Sequence, residues 1–217
     1  IFKKVKTDIE EGSNSAFKII NLNVEERPTG EISISAGFGT EGETIGGGIK
    51  ENNFLGKGIN LNTNLELTAD SLKGQFIYAK PNFNYTDNTL FTSLKSSTSD
   101  FLTDFGYKTS EIGFSLGTKF EQFQNIFFSP EIDFLLEDLE TSDKASSNLK
   151  KQEGSYTDLY FNYSINQDLR DKKFRTEDGY ITTFSQEVPI LSDNSEFANS
   201  FEVTKFQKLS STSDMVG

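Results

Sequence analysis

Residues 58–69 of the chain are G-I-N-L-N-T-N-L-E-L-T-A, a stretch in which apolar and polar side chains alternate. Ile59, Leu61, Leu65 and Leu67 fall on one side of an extended chain, and asparagine and glutamate side chains fall on the other. A period of two residues is typical of a β-strand that has one apolar and one polar face. This stretch therefore predicts a sheet whose two faces differ in chemistry.

The same alternation extends along most of the chain. It occurs in residues 31–38, 110–121, 125–136, 157–166 and 196–206. Turn-forming residues separate such segments at 40–43, 55–58, 68–71 and 85–88, and a longer polar stretch at 141–155 indicates a surface loop. The pattern predicts an all-β chain with roughly ten antiparallel strands from residue 30 onward. Segments of this length suit a membrane-spanning strand, which needs about 9–11 residues.

One proline interrupts this pattern. Pro130 lies inside the predicted strand at 125–136. Proline has no backbone N–H and is confined to edges, bulges or strand starts. We therefore expect this strand to be bent or shorter than its alternation indicates.

The composition has two explanations. Only 34% of the residues are hydrophobic, yet 13% are aromatic, and 21 residues are phenylalanine. Either a soluble all-β protein with a thin core or a membrane β-barrel with a polar lumen and an apolar exterior gives such an average. Phe91, Phe101, Phe105 and Tyr107 are candidates for an interfacial aromatic girdle, with ordinary sheet packing as the alternative.

Several classes of function are disfavoured. The chain has no cysteine and no histidine, which removes thiol chemistry, zinc sites of the usual type and histidine-based catalysis. No segment approaches the roughly 20 apolar residues of a membrane helix. A net charge of −12 argues against nucleic acid as a partner. Acidic pairs such as Glu137 and Asp138 are expected to be solvated, so we predict no catalytic residue, metal or cofactor.

Residues 24–61, VEERPTGEISISAGFGTEGETIGGGIKENNFLGKGINL, resemble the junction of BamA-family proteins. There the last polypeptide-transport-associated (POTRA) domain runs into the first barrel hairpin. The resemblance implies that residues 1–28 are the end of a POTRA domain and that residues 29–217 are the first part of the barrel. Its turn residues are Arg27, Pro28, Gly30, Asn53, Phe54, Leu55, Gly56 and Gly58.

A second motif, DLRDKKFRTEDGY at residues 168–180, resembles a turn between later barrel strands of the same family. The matching residues are Asp168, Arg170, Asp171 and Gly179, while Thr176 or its neighbours stand where the family usually has proline. Independently of the family, we expect Asp168, Arg170 and Asp171 to form an ion pair and hydrogen bonds that stabilise the turn.

The resemblance implies a place in the cell outer membrane and a function. The family has a barrel of about sixteen strands, so about six would lie outside this chain, whose two ends both look cut. Its first strand pairs with the C-terminal strand of an unfolded outer-membrane protein. The implied partners are such client proteins, periplasmic accessory lipoproteins and outer-membrane lipid. The pairing edge maps onto Glu31, Ile32, Ser33, Ile34, Ser35, Ala36, Gly37 and Phe38.

Small residues in this edge favour a weakly closed seam. Serine, alanine and glycine offer little cross-strand packing, and Gly46, Gly47 and Gly48 follow in the next strand. The alternative is that these glycines only relieve crowding or mark a bulge. Three alternatives to a BamA-type function also stay open: a TamA-type translocation factor, a two-partner-secretion transporter and a plain diffusion channel.

Overall fold

A computed structural model describes residues 2–14, 16–39, 42–192 and 196–208. The chain forms two separate antiparallel sheets, one with two strands and one with ten. The small sheet contains β1 (Phe2–Glu11) and β2 (Lys18–Glu26). The large sheet contains β3 (Gly30–Gly39), β4 (Gly42–Phe54), β5 (Ile59–Leu67), β6 (Ser71–Lys80), β7 (Thr89–Phe101), β8 (Tyr107–Phe123), β9 (Ile126–Thr141), β10 (Gly154–Asp168), β11 (Asp178–Leu191) and β12 (Ala198–Gln207).

The large sheet is a simple meander. Each strand pairs with its neighbours in sequence, so that β3 and β12 form the two edges. The predicted all-β antiparallel fold and the ten strands after residue 30 are confirmed. The turn predictions at 55–58 and 85–88 also fall between strands, and the one at 68–71 covers the connection of residues 68–70 and the first residue of β6, Ser71. The turn predicted at 40–43 includes Thr40 and Glu41, which lie outside the described residues.

The pairing register gives the large sheet one apolar and one polar face. In the middle of the sheet, Leu94 lies opposite Phe114, Phe114 opposite Phe134, and Phe134 opposite Leu159. The residues that alternate with these apolar side chains point to the other face, which carries serine, asparagine, lysine and carboxylate side chains. Among the described residues, the only buried hydrophobic side chains are Ile59, Leu135 and Ala145. The apolar face is therefore not covered by protein.

The connections differ between the two ends of the sheet. We call the end where β3 begins the near end and the opposite one the far end. Near-end connections span residues 55–58, 81–88, 124–125 and 169–177, and the first residues of β3 follow β2 there. The far end carries residues 142–153, the longest connection, which includes the helix Ser147–Lys150. A 3-10 helix spans Phe83–Tyr85. Within the described ranges, no helix has the length and apolarity needed to cross a membrane.

Pro130 does not shorten its strand. The strand β9 runs without interruption from Ile126 to Thr141, and Pro130 lies opposite Tyr163 in regular pairing with β10. Its pairing with β8 is skipped next to the proline and resumes in the same register at Phe120 and Phe128. The missing N–H thus removes local pairing on one side only, and the expectation of a shortened strand is wrong.

The aromatic side chains are arranged differently from the sequence expectation. Phe91 shares the polar face with Gly117, whose Cβ position points at the Phe91 ring, and Phe101 packs on Phe105 and Tyr107 at the far end. The girdle interpretation is therefore wrong for Phe91. Instead, an aromatic row crosses the apolar face, with ring centroids 5.7 to 6.2 Å apart. Its members are Phe120, Phe128, Tyr163 and Phe184.

Candidate functional site

The strand predicted to pair with clients is an edge of the large sheet. Residues Glu31–Phe38 lie within β3, which pairs on one side with β4 and has no strand partner on its other side among the described residues. The apolar side chains of this strand are the most exposed of the sheet's apolar face. The exposed fraction is 80% for Ile32, 84% for Ile34 and 87% for Phe38. Unpaired N–H and C=O groups on such an edge can accept another strand.

Glycines bring β3 and β4 together with few side-chain contacts. Ser35 lies opposite Gly46 and Ser33 opposite Gly48. A Cβ atom added at Gly46 would lie 2.6 Å from the Ser35 hydroxyl oxygen, and one at Gly48 would lie 2.9 Å from that of Ser33. These two glycines therefore relieve crowding on the polar face, as the alternative interpretation expected. A Cβ at Gly47 would meet nothing closer than 3.7 Å, so this glycine leaves the apolar face thinly packed.

A hydrogen-bonded cluster fixes this hairpin at the near end. The Thr29 hydroxyl group donates to the Glu51 carboxylate, which also accepts from the backbone N–H of Asn53 at 2.7 Å. Asn52 donates twice to the carbonyl oxygen of Thr29, from its backbone at 3.3 Å and its side chain at 3.1 Å. The start of β3 is therefore tied to the end of β4, whereas small residues dominate the pairing beyond it.

The first turn of the family resemblance, residues 55–58, follows β4 directly. Phe54 ends β4, and Leu55, Gly56 and Gly58 adopt positive φ angles of 57°, 70° and 64°. The Asn53 side chain closes this turn by accepting a hydrogen bond from the Gly58 N–H at 2.7 Å.

Upstream of the edge, Arg27 and Pro28 are exposed in the connection between β2 and β3, and Gly30 is the first residue of β3. The structure thus places the pairing edge and the residues of the first motif in one hairpin and its entry.

The second family turn also lies at the near end of the sheet. It joins β10 to β11 and is far from the edge strand β3. The guanidinium group of Arg170 donates to both carboxylate oxygens of Asp168, with Nε at 2.9 Å and Nη2 at 2.7 Å. Such a two-pronged contact fixes the orientation as well as the distance of the pair. The ion pair expected from the sequence is confirmed.

Asp171 organises the rest of this turn. Its Oδ1 atom accepts hydrogen bonds from the backbone N–H groups of Glu177 at 3.0 Å and Asp178 at 3.2 Å. These backbone donors, with that of Asp178 first, hold the pKa of the Asp171 carboxyl below its usual value. Thr176 is buried and donates to the carbonyl oxygen of Lys172 at 2.7 Å.

Gly179 is required by the backbone at the end of this turn. Its φ angle is +111°, and an added Cβ would lie 2.2 Å from the carbonyl oxygen of Leu169. That oxygen belongs to the backbone and cannot rotate away, so a side chain does not fit here.

Sequence reasoning missed a polar ladder on the apolar face. The Tyr163 hydroxyl group donates to Gln186 Oε1 at 2.8 Å, and Gln186 Nε2 donates to Asn199 Oδ1 at 2.7 Å. The three residues lie directly opposite one another on β10, β11 and β12. The only sequence signal was a glutamine in an apolar position of the alternation, between Phe184 and Val188.

Comparison with known proteins gives a family and a fold. A sequence model described as the Omp85 superfamily domain matches residues 53–217. The fold is similar to the crystal structure of BamA from Haemophilus ducreyi lacking POTRA domains 1–3, with a TM-score of 0.77 at 19% sequence identity. That match covers 97% of this chain and 43% of the solved chain. No curated protein sequence matches the chain.

Proposed function

This chain belongs to the Omp85 superfamily, and from that premise we propose that it is part of an outer-membrane factor that folds and inserts other β-barrel proteins. The observation that carries the proposal is the thin pairing of β3 with β4, in which Ser33, Ile34 and Ser35 lie opposite three successive glycines. In lipid, each unsatisfied backbone group costs several kcal/mol. An edge that can open at membrane depth therefore has a strong tendency to take up an incoming strand.

The mechanism follows from the unequal attachment of β3. The hydrogen bonds among Thr29, Glu51 and Asn53 keep its start in place. Beyond them, Ser33, Ser35 and Ala36 give little side-chain packing against β4, since good cross-strand pairs contribute only about 0.2–1 kcal/mol each. A client strand would pair with Glu31–Phe38 through its backbone, and its side chains would extend the alternation of the two faces.

We assign residues 1–28 to the last POTRA domain and residues 29–217 to the barrel. The strands β1 and β2 pair with each other in a sheet of their own, which is consistent with a domain boundary just before β3. The near end of the barrel would then face the periplasm and the far-end loops the cell exterior. Accessory lipoproteins of the assembly complex would bind on the periplasmic side.

The uncovered apolar face supports an outer-membrane location. Rows of exposed isoleucine, leucine and phenylalanine side chains run along β3 to β12. Contiguous apolar surface of this extent needs a hydrocarbon environment, which an outer-membrane barrel has on its outside. A TamA-type or two-partner-secretion translocation factor of the same superfamily shares all of these features and is the second candidate.

Cross-linking tests the proposed edge. In the full-length protein, a single cysteine replacing Ser33 or Ser35 should form a disulfide with a cysteine in the C-terminal strand of a client caught during insertion. A cysteine replacing Ser97 is the matched control, since β7 is paired on both sides. Equal cross-linking at Ser97, or none at β3, would contradict the edge.

A second measurement separates the candidate functions. A purified factor of the proposed kind should accelerate insertion of a client barrel into lipid vesicles, and a disulfide that locks the first strand to the last should stop it. Transport of a passenger without client insertion would favour the translocation factor. A large, steady conductance without either activity would favour a plain channel.

A further inference from the structure

Most carboxylates in the turn between β10 and β11 are already bound. Asp168 pairs with the guanidinium group of Arg170. Glu177 contacts two ammonium groups, with Lys172 Nζ at 3.1 Å and Lys208 Nζ at 3.6 Å. The contact from Lys208 also places the end of β12 beside this turn. These contacts leave little negative charge for the other basic side chains of the region.

Three basic side chains remain at this end of the sheet. Lys173 and Arg175 lie in the turn, and Lys205 lies near the end of β12. All three are exposed, and none makes an ion pair with any residue that the structure describes. Between residues 168 and 180, all within the described ranges, only Asp178 has a carboxylate without a hydrogen bond or ion pair. The three residues, which we call the basic patch, therefore carry an excess of positive charge.

The basic patch lies where the apolar face meets the near end of the sheet. Tyr180, Thr182 and Phe184 alternate along one face of β11, and Lys205 lies directly opposite Tyr180. Phe184 belongs to the aromatic row, and Tyr180 is about 13 Å from it along the strand. Tyrosine and lysine side chains combine an apolar body with a polar tip and are favoured where a membrane meets water. We therefore expect the basic patch at the level of the lipid headgroups.

An exposed aromatic side chain lies between two members of the basic patch. Phe174 is 80% exposed, and the guanidinium carbon of Arg175 lies 5.8 Å from its ring centroid. Hydrogen bonds made by Asp171 and Thr176 already hold the surrounding turn. A ligand that binds here therefore loses little affinity to ordering of the protein. An apolar ring beside two unpaired cations suits a ligand that has both a negative headgroup and an apolar part.

An anionic phospholipid has this combination of properties. The chain has a net charge of −12, so most of its surface repels an anionic headgroup and the basic patch is an exception. Lysine and arginine side chains close to a membrane surface attract anionic lipids. We propose that the basic patch binds the headgroup of an anionic phospholipid in the leaflet at the near end of the sheet. This inference rests on the membrane location proposed above and is independent of client pairing at β3.

Native mass spectrometry of the full-length protein in detergent, titrated with phosphatidylglycerol or phosphatidylethanolamine, tests the proposal. We expect tighter binding of phosphatidylglycerol, and about fivefold weaker binding of this lipid for each of Arg175→Gln and Lys205→Gln. The matched control is Lys57→Gln, which removes the same charge from an exposed near-end turn between β4 and β5. This variant should bind as the unchanged protein does. Equal weakening in all three variants would reduce the effect to net charge and overturn the site.

A second arm uses only the unchanged protein, so it does not depend on the folding of a variant. Salt screens exposed charges, so the preference for phosphatidylglycerol should disappear at about 1 M ionic strength. A preference that persists there would overturn the electrostatic site. No preference at low salt would also overturn it and would leave an acidic protein as the occupant to test. Lipid binding is measured without a client, so failed cross-linking at β3 would contradict the assembly function and leave this result unaffected.

Discussion

Gly56 and Gly179 both have positive φ angles, yet their surroundings differ. An added Cβ at Gly56 would meet no atom within 4 Å, whereas one at Gly179 would overlap the Leu169 carbonyl oxygen. We expect Gly56→Ala to lower the free energy of unfolding by about 1 kcal/mol through backbone strain alone. Gly179→Ala should cost about 3 kcal/mol, since overlap with the backbone adds to the strain. Urea unfolding in lipid vesicles measures both, and equal losses would contradict the contact at Gly179.

The stability of the turn between β10 and β11 should depend on pH through the Asp171 carboxyl group. Its pKa in the folded protein lies below the ordinary value of 3.8, so the ionised carboxylate favours the folded turn. The sign follows from linkage: this stabilisation is present above the unfolded pKa and is lost as the pH falls through the folded pKa. The side-chain carboxyl carbon chemical shift of Asp171 should therefore titrate with a midpoint below 3.8.

The variant Asp171→Asn provides the control for this titration. It removes the titrating group while keeping an acceptor oxygen, so the acid transition assigned to Asp171 should disappear. A midpoint at or above 3.8 in the unchanged protein would contradict the hydrogen bonds to Asp171.

Single residues were predictable from the sequence only where their partners are close in the chain. The contact between Asp168 and Arg170 joins residues two positions apart in a recognisable turn, so composition and spacing were enough. Lys205 gave no such signal. Its neighbour Tyr180 lies on another strand, and only the pairing register of β11 and β12 brings the two together.

At the scale of elements, the polar ladder across β10, β11 and β12 should contribute to stability in lipid. Gln186 is its centre and accepts from Tyr163 while it donates to Asn199. We expect Gln186→Leu to lower the free energy of unfolding in vesicles by about 1–2 kcal/mol, because it leaves both partners without this hydrogen bond in hydrocarbon.

Thr182→Val is the matched control for this prediction. Thr182 occupies the same face of β11, two alternations from Gln186, and removing its hydroxyl group should leave stability unchanged or slightly raised. If Gln186→Leu lowered the free energy of unfolding no more than this control does, the ladder would not contribute to stability.

Alternation located the strands well where the two faces differ clearly. The stretches at 31–38 and 110–121 lie inside β3 and β8. Two other strands have weaker contrast: β4 contains Gly46, Gly47 and Gly48, and the apolar row of β7 includes threonine and serine. The turn signals on either side predicted that these strands exist, but only the structure gives the residues at which they begin and end.

Taken as a whole, the sheet presents an apolar band of uneven height. On β9 the apolar row extends from Phe128 to Leu136, about 27 Å along the strand, whereas on β4 it extends only from Ile45 to Ile49, about 14 Å. Strands too short for the surrounding hydrocarbon must thin the bilayer or lose order.

Bilayer thickness should therefore affect the two regions differently. We expect longer lipid acyl chains to raise amide hydrogen exchange in β3 and β4 of the full-length protein before they affect β8 and β9. Hydrogen exchange with mass spectrometry in nanodiscs of increasing thickness measures this. A uniform response over the sheet would show that the uneven band does not influence local stability.

The scarcity of buried apolar side chains also determines what a stability measurement on this molecule means. A soluble domain carries its hydrophobic interior with it, whereas here Ile59, Leu135 and Ala145 are the only interior apolar residues among those described. The remaining apolar surface is solvated by whichever amphiphile surrounds it. A melting temperature is therefore a joint property of the polypeptide and its detergent or lipid. Two variants can be ranked only when the amphiphile, its chain length and its concentration are the same.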